Sequence, residues 1–188
     1  MTFPEKYKVI QQNHFELGEY SLIPIRFEDR LDIMKWRNEQ IYHLRQNKPL
    51  TIEDQNTYFS NYVSTIFHEE FPKNLLFSLL KNNELVGYGG LVHINWLDKN
   101  AEISFLLNTE LEKDFFSEIW SNYLILLELI AFKELHLNKI FTYAFDIRPH
   151  LYPIFEKSGF VLEARLKNHC FFNNEFKDVV IHSKFSTK

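Results

Sequence analysis

The stretch "LIAFKELHLNKIFTYAF", from Leu129 to Phe145, holds the end of a helix followed directly by a strand. Upstream of it, apolar residues recur at helical spacing and predict one long amphipathic helix that ends near residues 135–138. The residues of that stripe are Phe115, Ile119, Tyr123, Leu126, Leu127 and Ile130. We predict that a strand from Lys139 to Ala144 follows.

Short strands are predicted before this helix. They form a hairpin-connected meander of Leu75 to Leu80, Leu85 to His93 and Ala101 to Leu107. The first joint, Lys81 to Glu84, is a polar turn of hairpin type. Gly87, Gly89 and Gly90 lie inside the second strand and indicate a bulge or a close backbone approach.

After the predicted helix and strand, Pro149 to Ser158 suits a short helix, with Gly159 as its left-handed stop. Two closing strands, Phe160 to His169 and Phe176 to Phe185, are joined by the turn Asn173-Asn174. The chain therefore ends in a second hairpin.

The amino-terminal part completes the order of elements. Tyr20 to Ile25 predicts a strand and Glu28 to Asn38 a helix, and the run from Thr51 to Asp54 fits a capping box before a further helix. Residues 1–19 show little periodicity and are predicted to be a loosely packed extension, leaving residues 20–188 as one domain. The order β-α-α-β-β-β-α-β-α-β-β indicates a mixed α/β (α+β) fold with helices on both faces of a mostly antiparallel sheet.

Composition excludes several classes of function. The chain has 188 residues and a formal charge of −4, which argues against a nucleic-acid binder. Its single cysteine, Cys170, rules out a disulfide framework within the chain and favours a cytoplasmic protein. The most apolar stretch, Tyr123 to Phe132, is too short to span a bilayer, and the histidines lack metal-ligand spacing. We therefore expect no membrane, nucleic-acid or metal partner.

Four segments in order resemble the GNAT superfamily of N-acetyltransferases. "AEISFLLN" (Ala101 to Asn108) is similar to the family's fourth strand, and the opening stretch to its central helix and fifth strand. "IFEKSGFVLEARLKNH" (Ile154 to His169) and "NNEFKDVVIHSKF" (Asn173 to Phe185) resemble the elements that close the fold. The resemblance covers nearly the whole chain after Tyr20 and implies a GNAT fold with acetyl-CoA as co-substrate and no metal.

The subgroup that the chain resembles comprises the ribosomal-protein and amino-sugar acetyltransferases. "IMKWRNE" (Ile33 to Glu39) is similar to a turn in enzymes that acetylate nucleotide-linked amino sugars, as in pseudaminic-acid biosynthesis. The resemblance therefore assigns acceptor binding to Trp36, Arg37 and Asn38. His43 and Arg45 in the following loop can share this role. A planar cation and an amide suit phosphates and hydroxyls. The structural alternative is a tryptophan in the core with Arg37 on the surface.

The sequence departs from the family at the loop that binds the pyrophosphate of coenzyme A. The family pattern is Gln/Arg-x-x-Gly-x-Gly/Ala, whereas the corresponding run from Glu112 to Ser117 has no glycine. Such a loop turns backbone N–H groups toward the pyrophosphate at a helix start. Either this helix start still binds the cofactor, through Lys113, Asp114, Phe115, Phe116 and Ser117, or acyl-CoA binding is relocated or lost. A plain helix start capped by Asp114 is the structural alternative.

The resemblance also assigns the remaining cofactor contacts. In the family, backbone groups where the fourth strand splays from the fifth hold the thioester carbonyl, which places Phe105, Leu106 and Leu107 beside the pantetheine arm. Arg148 stands where the family has an asparagine that holds the cofactor. Arg148 can pair with a phosphate or with a nearby carboxylate.

Acetyl transfer to an amine needs a proton acceptor and a proton donor. Glu102 shares a strand face with Ser104 and is the first candidate for the base, and His93 ends the preceding strand nearby. The family's acid is a tyrosine at the place of Phe155, which leaves Tyr152, one turn earlier on the same helix, as the candidate donor. Each of the three candidates also has a structural interpretation: a surface ion pair, a strand histidine and a packing tyrosine.

Three functions remain open at this stage. The first is an N-acetyltransferase for a small amino sugar, of the nucleotide-linked kind that Trp36 to Asn38 indicate. The second changes the acceptor to a protein N-terminus or another small amine. The third is a catalytically silent GNAT-like binding module, which the glycine-free loop and Phe155 favour. A homodimer is compatible with the exposed-looking aromatic residues.

Overall fold

The computed structural model describes residues 3–44 and 46–187 of the chain. Within that part, the strands are β1 (Phe15–Leu17), β2 (Tyr20–Pro24), β3 (Leu75–Lys81), β4 (Glu84–Asn95), β5 (Asn100–Leu107), β6 (Lys139–Phe141), β7 (Ala144–Phe145), β8 (Val161–Phe172) and β9 (Glu175–Phe185). The α-helices are α1 (Arg30–Glu39), α2 (Ile52–Tyr58), α3 (Ser64–Ile66), α4 (Glu112–Glu128) and α5 (Tyr152–Lys157).

All strands belong to one mixed sheet. From β1 to β5 each strand pairs antiparallel with the next, and β6, β7 and β8 pair antiparallel with β9. The pair β5–β6 is parallel. The predicted meander, the closing hairpin and the mixed, mostly antiparallel fold class are confirmed.

Helices cover both faces of the sheet. On one face Tyr123 of α4 stacks on Phe105 of β5 at 3.9 Å between ring centroids. Because side chains alternate along a strand, the neighbouring Ser104 points to the other face, where it shares a cavity wall with Arg37 of α1. One face of β5 therefore packs against α4, and the other face lines a cavity together with α1.

The central helix agrees with its predicted apolar stripe except at Phe115, which is exposed. Its residues Ile119, Tyr123 and Leu127 are almost fully buried, and the helix continues through a π-helical stretch, Leu129–Glu134. The helical run Thr109–Glu134 is long and apolar enough to cross a membrane by length and composition alone. Its apolar stripe is part of the protein core, as expected for a helix that packs on a sheet.

The segment before β2 was predicted to be loosely packed, and this prediction is wrong for residues 3–19. Tyr7 is buried, stacks on Phe67 and donates a hydrogen bond of 2.6 Å to the Leu76 carbonyl oxygen. Ile10 and Phe15 also belong to the core. Contacts between residues so far apart in the chain leave no periodic pattern in the sequence.

The strand predicted from Lys139 to Ala144 is divided into β6 and β7. At the break, the His182 N–H donates to Thr142 Oγ1 at 3.1 Å, so a side chain receives this bond. The Thr142 N–H still donates to the His182 carbonyl oxygen at 2.8 Å. Both β6 and β7 therefore remain paired with β9.

The predicted signals at helix ends and at the closing hairpin turn are confirmed. The Thr51 hydroxyl and the Asp54 carboxylate form the reciprocal capping box of α2. Asn173 and Asn174 both have positive φ, as a tight hairpin turn requires, and Gly159 ends α5 at φ 82°. These features depend on residues close in sequence, which is why the sequence predicts them.

Candidate active site

The site begins where β5 and β6 separate. Their parallel ladder pairs Asn100–Glu102 with Lys139–Phe141 and then stops. Beyond Glu102 a cavity of about 260 Å³ opens between the two chain segments. Its walls include residues 102–105 of β5 on one side and residues 142–145 on the other.

Of the three residues predicted beside the pantetheine arm, one lines this cavity. Phe105 lines the cavity, but Leu106 and Leu107 are buried away from it, and the Leu107 carbonyl oxygen accepts a hydrogen bond from Gln40. Ile103 and Ser104 line the cavity as well. The ladder ends at Glu102, which no sequence pattern marks. Ser104 shares the strand face of Glu102 by alternation, and this was the available signal.

A second cavity of about 320 Å³ lies between α1, α2 and the sheet. Its lining includes Tyr58 and Gln55 of α2 and Tyr88 of β4. The two cavities share three lining residues, namely Arg37, Val92 and Ser104. Molecules bound in the two cavities would therefore meet beside Ser104.

Glu102 and His93 are brought together at this junction. His93 Nδ1 lies 2.9 Å from Glu102 Oε2, and Glu102 lines the first cavity. The side chain of Glu102 is 16% exposed, whereas that of His93 is 67% exposed. His93 has a φ of 51° where the pairing of β4 with β5 is irregular, and its backbone N–H donates to Asn74 Oδ1. The carboxylate therefore faces the cavity and the imidazole faces outward.

Tyr152 lines the same cavity, but its hydroxyl is already engaged. It donates a hydrogen bond of 2.5 Å to Asp146 Oδ1, and Asp146 also pairs with Arg165. Burial and the Asp146 carboxylate raise the pKa of Tyr152 above its usual value of 10. A raised pKa makes the phenol a poorer proton donor. Phe155, at the family's acid position, lines the cavity as well.

The glycine-free run does not form a loop. A 3₁₀ turn, Thr109–Leu111, leads straight into α4, so residues 112–117 are helical. Asn108 Oδ1 accepts the Glu110 N–H, and the N–H groups of Leu111 and Glu112 donate to the carbonyl oxygens of Asn108 and Thr109. Asn108, and not Asp114, therefore caps the helical run.

Four of the predicted loop residues are exposed on the helix surface and line neither cavity: Lys113, Asp114, Phe115 and Ser117. The arrangement thus does not favour the predicted cofactor contacts at these positions. Phe116 differs, because its ring lies 5.3 Å from the guanidinium of Arg148. Without glycines, this run has no residue that favours the unusual dihedrals of a phosphate loop, and it continues the helix.

Arg148 lies in the first cavity wall and is only 8% exposed. Its Nη2 donates to Glu112 Oε1 at 2.5 Å, and its Nη1 lies 3.0 Å from His43 Nε2. Burial and the charge of Arg148 lower the pKa of His43 from 6.5 to about 3. Nε of Arg148 is buried and has no partner in the described part of the chain. A buried cation with an unused donor beside a cavity fits an anionic group such as a phosphate of acetyl-CoA.

The three predicted acceptor residues have different surroundings. Arg37 lines both cavities and donates to the Tyr88 hydroxyl oxygen at 2.8 Å and to Gln46 Oε1 at 3.1 Å. Trp36 is buried in the core and lines neither cavity, so it does not reach a substrate there. Asn38 bonds the backbone of Leu50 through both its amide atoms. Arg45 lies outside the described residues.

Two cavities that meet beside a carboxylate suit a reaction between an acyl donor and an acyl acceptor. With this sheet around them, they define the class as an acyl-CoA-dependent N-acyltransferase. The chain belongs to the GNAT acetyltransferase family, because the family profile described as "Acetyltransferase (GNAT) domain" matches residues 23–181. Within the residues that the structure describes, no three His, Cys, Asp or Glu side chains are grouped as metal ligands.

Solved structures share the fold. The complex of spermidine N-acetyltransferase from Vibrio cholerae with CoA and spermine superposes with a TM-score of 0.75 at 18% identity, over 90% of this chain and 96% of that one. A point mutant of the Vibrio cholerae enzyme gives 0.73 at 20% identity, over 90% and 95%. A structure described as a putative acetyltransferase gives 0.70 at 17% identity, over 93% and 87%. No curated protein matches the chain in sequence.

Proposed function

We propose that this enzyme transfers an acetyl group from acetyl-CoA to the primary amine of a small molecule. The observation that carries the proposal is the junction of the two cavities at Arg37, Val92 and Ser104, beside Glu102. The first cavity takes the acyl arm of the cofactor, and the second takes the acceptor. A volume of about 320 Å³ suits a small molecule.

The residues of the site support this reaction in three ways. Glu102 accepts a proton from the acceptor amine, which must be neutral to attack, and His93 orients the carboxylate from outside. The backbone of residues 103–105 has no strand partner on the cavity side, so its polar groups can orient a carbonyl. Arg148 supplies a cation for a phosphate of acetyl-CoA, which brings the activated acetyl group.

The fold neighbours support a small amine as acceptor, because the Vibrio cholerae enzyme is a spermidine acetyltransferase solved with spermine. A second candidate, the nucleotide-linked amino sugar, is favoured by Arg37. This half-buried cation has no carboxylate within salt-bridge distance in residues 3–44 and 46–187. A cation at the cavity junction favours an acceptor that carries a phosphate or carboxylate besides its amine.

An acceptor panel with radiolabelled acetyl-CoA tests the function. The panel holds spermidine, a nucleotide-linked amino sugar and a peptide with a free N-terminus. We expect label on a small amine and none on the peptide. With an anionic acceptor, Arg37→Gln should raise KM by about tenfold, which corresponds to about 1.4 kcal/mol. Label on the peptide alone would favour the protein N-terminal alternative. No transfer and no binding of acetyl-CoA at millimolar concentration would favour the silent binding module.

A further inference from the structure

The most unusual charged group in the molecule is the buried guanidinium of Arg148. It stands directly before the turn Pro149–Leu151 that leads into α5. One of its nitrogens bonds Glu112, another faces His43, and Nε is buried without a partner in the described chain. Arg148 thus lies in the cavity wall with one donor unused.

The partner of Arg148 lies at a place where an anionic ligand is favoured. Glu112 is the first residue of α4, and the start of a helix attracts negative charge. Its side chain is 25% exposed, whereas that of Arg148 is 10% exposed. The carboxylate is therefore the partner nearer to solvent, and it can turn away while the cation stays in place.

No other described group neutralises Arg148. Its salt-bridge partner is Glu112, and His43 is uncharged at neutral pH because burial and Arg148 lower its pKa to about 3. Phe116 adds only the face of its ring. Removing Glu112 from this contact would leave a buried, unpaired cation, which is costly unless another anion replaces it.

We propose that the Glu112 carboxylate is an internal substitute for the diphosphate of coenzyme A, so that it holds Arg148 in the free enzyme and releases it when the cofactor binds. This inference rests on the proposed function, since coenzyme A is the ligand. The backbone N–H groups at this helix start are engaged by Asn108 and Thr109, so a side-chain cation takes over anion binding. Because the two anions compete for one cation, Glu112 weakens the binding of coenzyme A.

Calorimetric titration of the full chain with coenzyme A tests the competition without any turnover. Glu112→Gln keeps a hydrogen-bond acceptor for Arg148 but removes the charge. We expect it to bind coenzyme A about tenfold more tightly than the unchanged protein, and pantetheine, which lacks the diphosphate, with unchanged affinity.

Two further variants separate the pair from general charge effects. Glu110→Gln removes the same charge two residues earlier, from a carboxylate that pairs with the surface residue Lys35 at 2.9 Å. It should change the affinity for coenzyme A by less than about twofold, because an exposed pair is screened. Arg148→Met should weaken binding, and Glu112→Gln should give no gain when added to it. Thermal unfolding checks that each variant is folded, and Arg148→Lys replaces Arg148→Met if the latter is not.

Each outcome has a clear consequence. Tighter binding in Glu112→Gln, confined to ligands with the diphosphate and dependent on Arg148, supports the internal substitute. Equal or weaker binding in Glu112→Gln, while the unchanged protein binds coenzyme A and acetylates an amine, overturns this inference alone. Absence of binding in every variant overturns the proposed function together with it.

Discussion

His93 Nδ1 lies 2.9 Å from Glu102 Oε2, between neighbouring strands that the sequence placed only approximately. Glu102 faces the first cavity and is mostly buried, and His93 is mostly exposed. This difference in exposure suits a carboxylate that touches the substrate and an imidazole that holds the carboxylate in position. It also gives the two residues different expected effects on the reaction.

Glu102→Gln should lower kcat by about a hundredfold or more, because general base catalysis contributes about 10² to 10⁴ in rate. The KM for acetyl-CoA should change little. His93→Ala should cost less than about tenfold, since the imidazole acts through Glu102. Steady-state rates with the best amine of the panel provide the measurement.

His68→Ala is the matched control, because His68 is exposed and lies outside the walls of both cavities. It should leave kcat unchanged. A Glu102→Gln variant that keeps half of the activity would show that the base lies elsewhere.

Tyr152→Phe distinguishes an acid from a structural tyrosine. Because the hydroxyl donates to Asp146 and its pKa is raised, we expect kcat to fall less than about tenfold, below the range of a general acid. Loss of a hydrogen bond to a charged group should lower the free energy of unfolding by about 2 kcal/mol. Rates and urea denaturation measure the two effects, with Tyr42→Phe on the surface as control. A loss of kcat near a hundredfold without a loss of stability would restore Tyr152 as the acid.

His43 should make folding stability depend on pH. Its folded pKa of about 3 lies below its ordinary value of 6.5, so at intermediate pH the unfolded chain binds more protons than the folded one. The contribution of neutral His43 to the free energy of unfolding is therefore fully present above pH 6.5, and it is lost as the pH falls toward 3. Between pH 7 and pH 5, the free energy of unfolding of the protein should fall by at most about 2 kcal/mol more than that of His43→Gln.

Urea denaturation at pH 7, 6 and 5 checks this difference. The comparison of the protein with His43→Gln cancels the effect of the carboxylates on the free energy of unfolding, because the same carboxylates titrate in both proteins. If the difference between the protein and His43→Gln does not vary with pH, His43 is not held neutral by its surroundings.

The sequence predicted those structural features that residues close together in the chain determine. The stripe of α4 from Ile119 onward, the Thr51 capping box and the turn at Asn173 and Asn174 each depend on a few adjacent residues, and they are confirmed. The contact between Tyr7 and Leu76, 69 residues apart, has no such local signature. The packing of the amino terminus was therefore missed.

The site was predicted less well for the same reason. Glu102 and His93 were expected near each other, and they are in contact because their strands are adjacent. The pair of Arg148 and Glu112 joins residues 36 apart in different elements, so the sequence left open whether Arg148 binds a carboxylate. The resemblance implied a loop at residues 112–117, and the helix-start alternative began the helix at Phe115, whereas α4 begins at Glu112.

Replacing Gly89 should affect both folding and the site. A Cβ added there would lie 2.1 Å from the Ser104 carbonyl oxygen and 2.7 Å from Phe105 Cα, which are backbone atoms that cannot move independently. Gly89→Ala must therefore push β5 away from β4. Overpacking of this kind should cost about 3 kcal/mol in the free energy of unfolding, measured by urea denaturation. Because Ser104 and Phe105 line the first cavity, the displacement should also weaken the binding of coenzyme A.

Gly18→Ala provides the comparison, since nothing lies within 4 Å of the added Cβ there and only its φ of +59° is unfavourable. That substitution should cost about 1 kcal/mol and leave the binding of coenzyme A unchanged. Equal losses of stability in the two variants would mean that β4 and β5 are not held at the close spacing that the cavity wall requires. A Gly89→Ala protein that is destabilised but binds coenzyme A normally would separate the close packing of β4 and β5 from the cofactor site.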